Sequence, residues 1–278
     1  MTISDSKIEV GARLGSNLTV LGVVDDRGDE PVCLVWHHKS WCPMLCKVLR
    51  SLEAAQREAD ILLALAHPNI VRCFGVDGST CILMEYLEGP SLHQLVKSLP
   101  NRRLDIDDAL RTSMYIGAAL SHVHDRGLLH LDVKPANIVV VNGRAILCDF
   151  GIARWQSASR PHGVTGTEGY LAPKECLREE ITPAADVFGL GVTLYEILTG
   201  HMPFPENRED EPYPQVLQSP SLVRQHRATV PVGLEKLVQK CLSREPSARP
   251  HLAALLPSLH RFISRAPRMW PKGFRPEI

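Results

Sequence analysis

The sequence lacks several features that would assign a class at once. It has no net charge, because 31 Lys and Arg residues balance 31 Asp and Glu residues, so no overall field favours nucleic acid or an anionic membrane. It has no apolar run long enough to cross a bilayer and no start typical of a signal peptide. We therefore expect a cytoplasmic protein that does not insert into membranes or bind nucleic acid; composition leaves its oligomeric state open.

The cysteines also lack a recognisable pattern. There are eight, scattered and without a C-x-x-C pair, which is typical of reduced thiols in a core and not of a disulfide framework. Cys42 and Cys46 lie near His37 and His38, and such residues can bind zinc, but their spacing fits no common zinc motif. We expect ordinary strand and loop residues here.

The chain changes character near the run E-Y-L-E-G-P. At 278 residues it can hold one large domain or two lobes. Turn-broken apolar runs precede the change and long helical periodicities follow it. The pattern predicts a first lobe over 1–85, a hinge over 86–90, a second lobe over 91–264 and a tail over 265–278.

Local signals predict the individual elements. We expect a strand meander over about 8–50, a helix over about 51–66, strands over 70–74 and 81–84, helices over 107–126 and 183–199, and a surface loop over 201–226.

A hairpin is predicted around Asn142-Gly143, the preferred pair for a two-residue type I′ turn. If Val141 pairs with Arg144, then Asn137 comes opposite Cys148 and beside Asp149. An amide oxygen and a carboxylate at one point suit Mg²⁺, so Asn137 and Asp149 are candidate metal ligands.

Two further charged groups approach this point. Asp132 precedes Asn137 by five residues in the run H-L-D-V-K-P-A-N, and Lys134 follows two residues after the acid. Phosphoryl transfer needs groups that orient a hydroxyl and offset charge, and an aspartate and a lysine can do this. Taken alone, the segment could equally be a hairpin with a polar rim.

The predicted helix over 51–66 turns Glu58 inward with its apolar side chains. A buried carboxylate needs a cation, and the nearest candidate is Lys47 at the end of the strand M-L-C-K-V-L. Such a pair could hold Lys47 against phosphate oxygens.

Together these residues resemble the protein-kinase family, in the family's order and over almost the whole chain. Lys47 and Glu58 resemble its ATP-positioning pair, H-L-D-V-K-P-A-N its catalytic loop, and D-F-G at 149–151 its metal-binding start of the activation segment. The run G-T-E-G-Y-L-A-P, Asp186 and Arg249 continue the match.

The resemblance implies an α+β, bilobal fold, with a small antiparallel β lobe carrying one helix and a larger, mainly helical lobe. It implies ATP and Mg²⁺, and protein substrates with Ser or Thr acceptors, because Lys134 and Thr167 resemble the serine/threonine branch. By the same resemblance Met84 is the residue behind the adenine, and Glu85 to Leu87 form the hinge strand that binds it.

Three departures accompany the match. The run G-S-N-L-T-V occupies the position of the family's phosphate-covering loop, G-x-G-x-x-G-x-V, and has only one of its glycines, Gly15. We therefore expect weaker ATP binding or an altered loop. Leu131 replaces the arginine before the catalytic aspartate, so activity should not need phosphate on Ser157, Ser159 or Thr165.

The third departure is A-P-K-E in place of A-P-E, with Lys174 where the acid is expected. We expect a one-residue bulge that lets Glu175 contact Arg249. Two alternatives to catalysis stay open: a pseudokinase that scaffolds or binds nucleotide, and a small-molecule phosphotransferase of similar fold.

Overall fold

The computed structural model describes residues 8–26, 30–78, 80–158, 163–206 and 213–264. Within these ranges the chain divides into two compact units, the first over residues 8–66 and 71–88 and the second over residues 67–70 and 89–264. The division at 88/89 falls inside the predicted hinge. The separate assignment of 67–70 to the second unit was not predicted.

The first unit is an antiparallel sheet with one helix. Its strands are β1 (Arg13–Leu14), β2 (Leu18–Asp25), β3 (Val32–His37), β4 (Cys42–Val48), β5 (Cys73–Asp77) and β6 (Cys81–Met84), and its helix is α1 (Leu52–Leu63). The strand order is β1-β2-β3-β4-β6-β5. Alternate residues of β2, β3 and β4 face one apolar cluster with Leu14, which fixes the register because a one-residue slip would expose the whole set.

The second unit is mainly helical. Its helices are α2 (Leu92–Ser98), α3 (Ile106–Asp125), α4 (Pro173–Cys176), α5 (Ala184–Thr199), α6 (Pro214–Leu217), α7 (Val223–His226), α8 (Val232–Cys241) and α9 (Leu252–His260). Short antiparallel pairs join β8 (Ile138–Val141) to β9 (Arg144–Leu147) and β7 (Leu128–Leu129) to β10 (Arg154–Trp155). The predicted α+β class with a small β lobe and a larger helical lobe is confirmed.

Helix α5 forms the core of the second unit because it is apolar on almost every face. It ends at Thr199 and is followed by Gly200, whose φ is 81° and where a Cβ would lie 2.4 Å from the carbonyl oxygen of Asn101. Only glycine meets both conditions, so the end of α5 is fixed by the sequence.

Two sequence predictions of secondary structure are wrong in position or type. The strand expected over 70–74 lies at Cys73–Asp77, and Ile70 instead forms an isolated bridge to Leu147. The loop expected over 201–226 contains the one-turn helices α6 and α7, with residues 207–212 outside the described part.

The cysteines form no disulfide, and the described residues contain neither a metal-binding group nor a membrane-spanning helix. All eight cysteines are free thiols, and six of them are buried. Among the described residues no group of three or more His, Cys, Asp or Glu side chains could hold a metal ion, and no helix combines the length and apolar character of a membrane span.

Candidate active site

The catalytic-loop segment of the second unit is anchored by one buried carboxylate. Asp186, near the start of α5, accepts the backbone N–H groups of His130 at 3.0 Å and of Leu131 at 2.7 Å. His124 Nε2 lies 2.8 Å from the same carboxylate. Burial alone would raise the pKa of Asp186, but these partners outweigh it and the pKa is lowered, so the group stays ionised.

This anchor holds an unusual backbone. Leu131 has a φ of 66°, which a leucine rarely adopts because its Cβ crowds the following carbonyl. Its amide donates to Asp186, and the residue is buried, with 7% of its surface exposed. The bend at Leu131 sets the direction in which the next residue, Asp132, presents its carboxylate.

Three side chains converge on Asp132. Thr167 donates to Oδ1 at 2.7 Å, and Lys134 Nζ and Asn137 Nδ2 donate to Oδ2, each at 2.7 Å. Lys134 also donates to the Thr167 hydroxyl at 2.5 Å. The structure thus brings together Asp132, Lys134 and Thr167, the residues singled out as catalytic.

The orientation of Asn137 follows from its partners. Its amide nitrogen donates to the side chain and, at 3.0 Å, to the carbonyl oxygen of Asp132. Because both partners are acceptors, the nitrogen must point at Asp132 and the amide oxygen must point away from it. That oxygen is the atom a hard cation would need.

The predicted hairpin places Asp149 near Asn137. Val141 pairs with Arg144 across the turn, and the Cys148 amide donates to the Asn137 carbonyl at 2.8 Å. Asp149 follows with a φ of 57° and an exposed side chain, and its Oδ1 accepts from the Gly151 amide at 3.3 Å. The register of the hairpin is as predicted; metal binding by the two residues stays a prediction.

His130 connects this hairpin to the catalytic loop. Its Nδ1 accepts from the Asp132 amide at 3.2 Å, so its proton is on Nε2, which donates to the Cys148 carbonyl at 3.2 Å. Its ring meets the edge of Phe150 at 4.6 Å between centroids. One fully buried imidazole therefore fixes the segments on either side of Asp132 and Asp149.

The first unit carries the predicted lysine–glutamate pair. Lys47 Nζ donates to both oxygens of Glu58, at 3.1 and 3.0 Å. Both side chains are buried, so the pair is shielded from solvent and its geometry is fixed by β4 and α1.

The residues predicted to contact adenine lie at the end of β6. Met84 is buried, whereas Glu85 is exposed and Leu87 half-buried. The Glu85 amide already donates to the Arg72 carbonyl at 2.9 Å. An adenine contact by Glu85 would therefore use its carbonyl oxygen, and the role of all three residues stays a prediction.

Comparison with known proteins agrees with this geometry. The family model described as "Protein kinase domain" matches residues 35–260. The chain belongs to the protein kinase family. The match begins inside β3, so the segments before it, including Gly15, lie outside the matched residues.

Individual kinases support the same assignment. Serine/threonine-protein kinase PkaA of Streptomyces coelicolor is 35% identical over 204 residues, which is 70% of this chain and 37% of that protein. Serine/threonine-protein kinase Nek3 of Mus musculus is 31% identical over 250 residues, 86% of this chain and 48% of that protein. The crystal structure of a mutant form of the Mycobacterium tuberculosis PknI kinase domain is 26% identical with a TM-score of 0.73, and the match covers 92% of this chain and 99% of that one.

The kinase topology argues against Gly15 in the phosphate-covering loop. In protein kinases the ATP-positioning lysine lies on the third strand, and the glycine-rich loop precedes it. Here Lys47 lies on β4, so β2, β3 and β4 correspond to the family's first three strands. The sequence between β2 and β3, part of which lies outside the described residues, takes the position of the family's phosphate-covering loop, whereas Gly15 lies one strand earlier, in the β1–β2 turn.

The predicted contact between Glu175 and Arg249 is not a direct ion pair, although burial raises the pKa of the Glu175 carboxyl and the charge of Arg249 opposes that rise. In the described part of the chain, Glu175 Oε2 accepts from the Ala172 amide at 2.6 Å and no ion pair joins it to Arg249. The guanidinium instead donates to the carbonyl oxygens of Ser243, Ala184 and Arg244 at 2.8, 2.8 and 3.0 Å, and lies 4.9 Å from the centre of the Phe188 ring. The direct partners of Arg249 are therefore backbone carbonyls, and Glu175 acts on its pKa only through charge at longer range.

Sequence reasoning gave no role to three residues of the site. His130 stands in the catalytic-loop run, and His124 lies at the end of α3, yet neither has a sequence pattern that reveals its partner. Glu30 lies 3.6 Å from Lys47 Nζ. For Glu30, the four acids in residues 25–30 could have indicated a contact with a cation.

Proposed function

We propose that the chain is a serine/threonine protein kinase that transfers the γ-phosphoryl group of ATP to hydroxyl groups of proteins. The kinases it matches are named as serine/threonine-protein kinases, and the chain spans less than half of PkaA and of Nek3. The observation that carries the proposal is the set of three donors on the Asp132 carboxylate.

Asp132 would orient the attacking hydroxyl and accept its proton. The hydroxyl oxygen bonds to the γ-phosphorus, the bond from that phosphorus to the bridging oxygen breaks, and ADP leaves with the electron pair. Lys134, 2.7 Å from Asp132, would offset the charge that develops on the transferred group. Thr167 would fix the remaining oxygen of Asp132.

The donors at the hairpin end fit Mg²⁺. The Asn137 amide oxygen and the Asp149 carboxylate are hard oxygen ligands, and Mg²⁺ takes one or two such protein ligands and completes its shell with phosphate and water. When bound, the ion would neutralise phosphate charge during transfer. Lys47, held by Glu58, would contact phosphate oxygens in the same reaction.

The decisive experiment compares Asp132→Asn with Asp125→Asn. Asp125 is exposed at the end of α3, so its substitution makes the same chemical change outside the site. With Mg²⁺, labelled ATP and a generic basic protein, we expect Asp132→Asn to lower transfer by about 100-fold or more and Asp125→Asn to retain it.

Three outcomes separate the alternatives. Phosphoserine or phosphothreonine that disappears in Asp132→Asn supports the proposal. Nucleotide binding without transfer to any polypeptide would identify a pseudokinase, and label on small molecules but not on protein would identify a different phosphotransferase.

A further inference from the structure

Lys47 contacts a second acid that the kinase pattern does not contain. Its Nζ lies 3.0 Å from Glu58 Oε2 and 3.6 Å from Glu30 Oε2. The two acids differ in environment: the Glu58 side chain is 4% exposed and the Glu30 side chain is 38% exposed. Glu58 is therefore a fixed brace, whereas Glu30 can leave Lys47 for water at little cost.

Glu30 belongs to the segment that stands where a phosphate-covering loop is expected. It lies between β2 and β3, next to Pro31, whose carbonyl accepts from the Val48 amide at 3.0 Å. Residues 25–30 read D-D-R-G-D-E, with four acids and one arginine. A loop that covers phosphates normally offers backbone N–H groups and no negative charge.

We propose that Glu30 competes with the phosphates of ATP for Lys47. This rests on the proposed function, because Lys47 is the group expected to contact the nucleotide phosphates. A carboxylate and a phosphate oxygen are both anionic acceptors, and they seek the same ammonium group. ATP must displace Glu30, so its apparent affinity is reduced by the fraction of molecules in which Lys47 is occupied.

Through this competition Glu30 sets the ATP concentration at which the enzyme works. The enzyme keeps its catalytic residues but needs more ATP to fill its site, so its rate follows ATP concentration over a higher range. The effect acts through phosphate, and a ligand without phosphate groups has no interaction that Glu30 can block.

The test uses Glu30→Gln, which keeps the shape and removes the charge, with Glu30→Asp as the charge-retaining variant. Glu9→Gln removes the same charge from an exposed side chain of the same unit. We expect Glu30→Gln to lower the KM for ATP about two- to fivefold, the range for a partly exposed ion pair. We expect kcat to move less than KM, Glu30→Asp to lie between Glu30→Gln and wild type, and Glu9→Gln to match wild type.

Adenosine binding distinguishes competition for Lys47 from a structural role of Glu30, because a structural change would alter the binding of ATP and adenosine alike. Calorimetry should show tighter ATP binding by Glu30→Gln and the same adenosine affinity as wild type. The inference is overturned if Glu30→Gln leaves the KM for ATP unchanged or raises it, or if its affinity for adenosine rises as much as its affinity for ATP. In either case, transfer by the wild-type enzyme would still support the proposed function. If wild type and Glu30→Gln both fail to bind ATP, the proposed function and this inference fall together.

Discussion

Single residues of this chain carry several bonds at once, and Asp186 is the clearest case. Its carboxylate accepts two backbone amides and faces His124, and it holds Leu131 at positive φ. Asparagine offers one acceptor oxygen and one donor nitrogen, so Asp186→Asn would leave a buried amide unpaired. We expect a loss of about 1–3 kcal/mol in the free energy of unfolding together with loss of transfer.

Urea unfolding and transfer assays measure the two effects of Asp186→Asn. The matched control is Asp60→Asn on the exposed face of α1, which should change neither. Full stability in Asp186→Asn would show that water or another group satisfies the amides.

Gly89 is required for a different reason. A Cβ at this position would lie 2.1 Å from the carbonyl oxygen of Val140, and the neighbouring Pro90 carbonyl accepts from the Val140 amide at 3.0 Å. The backbones cannot separate without breaking that bond, so Gly89→Ala should cost about 1–3 kcal/mol of stability. Gly22→Ala, where a Cβ meets nothing within 4 Å, is the control and should be nearly neutral in thermal unfolding.

At this scale the sequence predicts only partners that follow from strong local constraints. Glu58 points inward from α1, so it needs a cation, and Lys47 was found on that ground. Arg249 could not be placed in the same way, because its acceptors are backbone carbonyls and every residue has one. Gly15 lies in the turn between β1 and β2, and no sequence pattern indicated that the short strand β1 precedes the other strands of the sheet.

At the scale of elements, backbone hydrogen bonds hold the start of the activation segment in place. β10 pairs with β7, the Gln156 amide donates to the Gly127 carbonyl at 2.8 Å, and Arg154 donates to the Ala158 carbonyl. Leu131 offers no cation for a phosphate. We therefore expect Ser157→Ala and Thr165→Ala, singly and together, to retain at least about half of the transfer rate.

The activation-segment prediction is checked with phosphatase-treated protein, which removes any existing modification. Ser159 lies outside the described residues and is best included as a third alanine variant. Transfer abolished by the alanine changes, with the thermal unfolding curve unchanged, would show that phosphate has another partner.

The register of one hairpin could be predicted because two independent features of the sequence fix it. The hairpin β8–β9 is fixed by Asn142 and Gly143, whose φ values of 50° and 75° suit a type I′ turn, and by alternating apolar residues. The strand expected over 70–74 had only its apolar residues. Asn69 and Ile70 instead pair with β9, since the Asn69 carbonyl accepts from the Leu147 amide at 2.8 Å.

At the scale of the whole molecule, stability should depend on pH through Glu175. Burial raises the pKa of this carboxyl to about 8, against an ordinary value of 4.5. Below the ordinary value both folded and unfolded chains hold the proton, so the folded state bears no cost. As pH rises toward 8 the unfolded chain loses its proton first, and stability falls until the folded group also ionises.

The variant Glu175→Gln tests this directly, because its amide stays neutral and its oxygen can still accept from the Ala172 amide. The melting temperature of the variant minus that of wild type should rise between about pH 5 and about pH 9. Glu180→Gln, on an exposed side chain, should give a difference that does not change with pH. A flat difference for Glu175→Gln would show that water reaches the carboxyl.

The antiparallel pairing of β2 with β3 determines where this domain can be cut. The match to the protein kinase domain begins at residue 35, inside β3. Protein expressed from that point would lack β1, β2 and the first three residues of β3, and the rest of β3 would become a sheet edge with unpaired amides beside the uncovered Val35 and Cys46. Such a fragment should precipitate or pair with copies of itself, so boundaries for expression belong before Ile8.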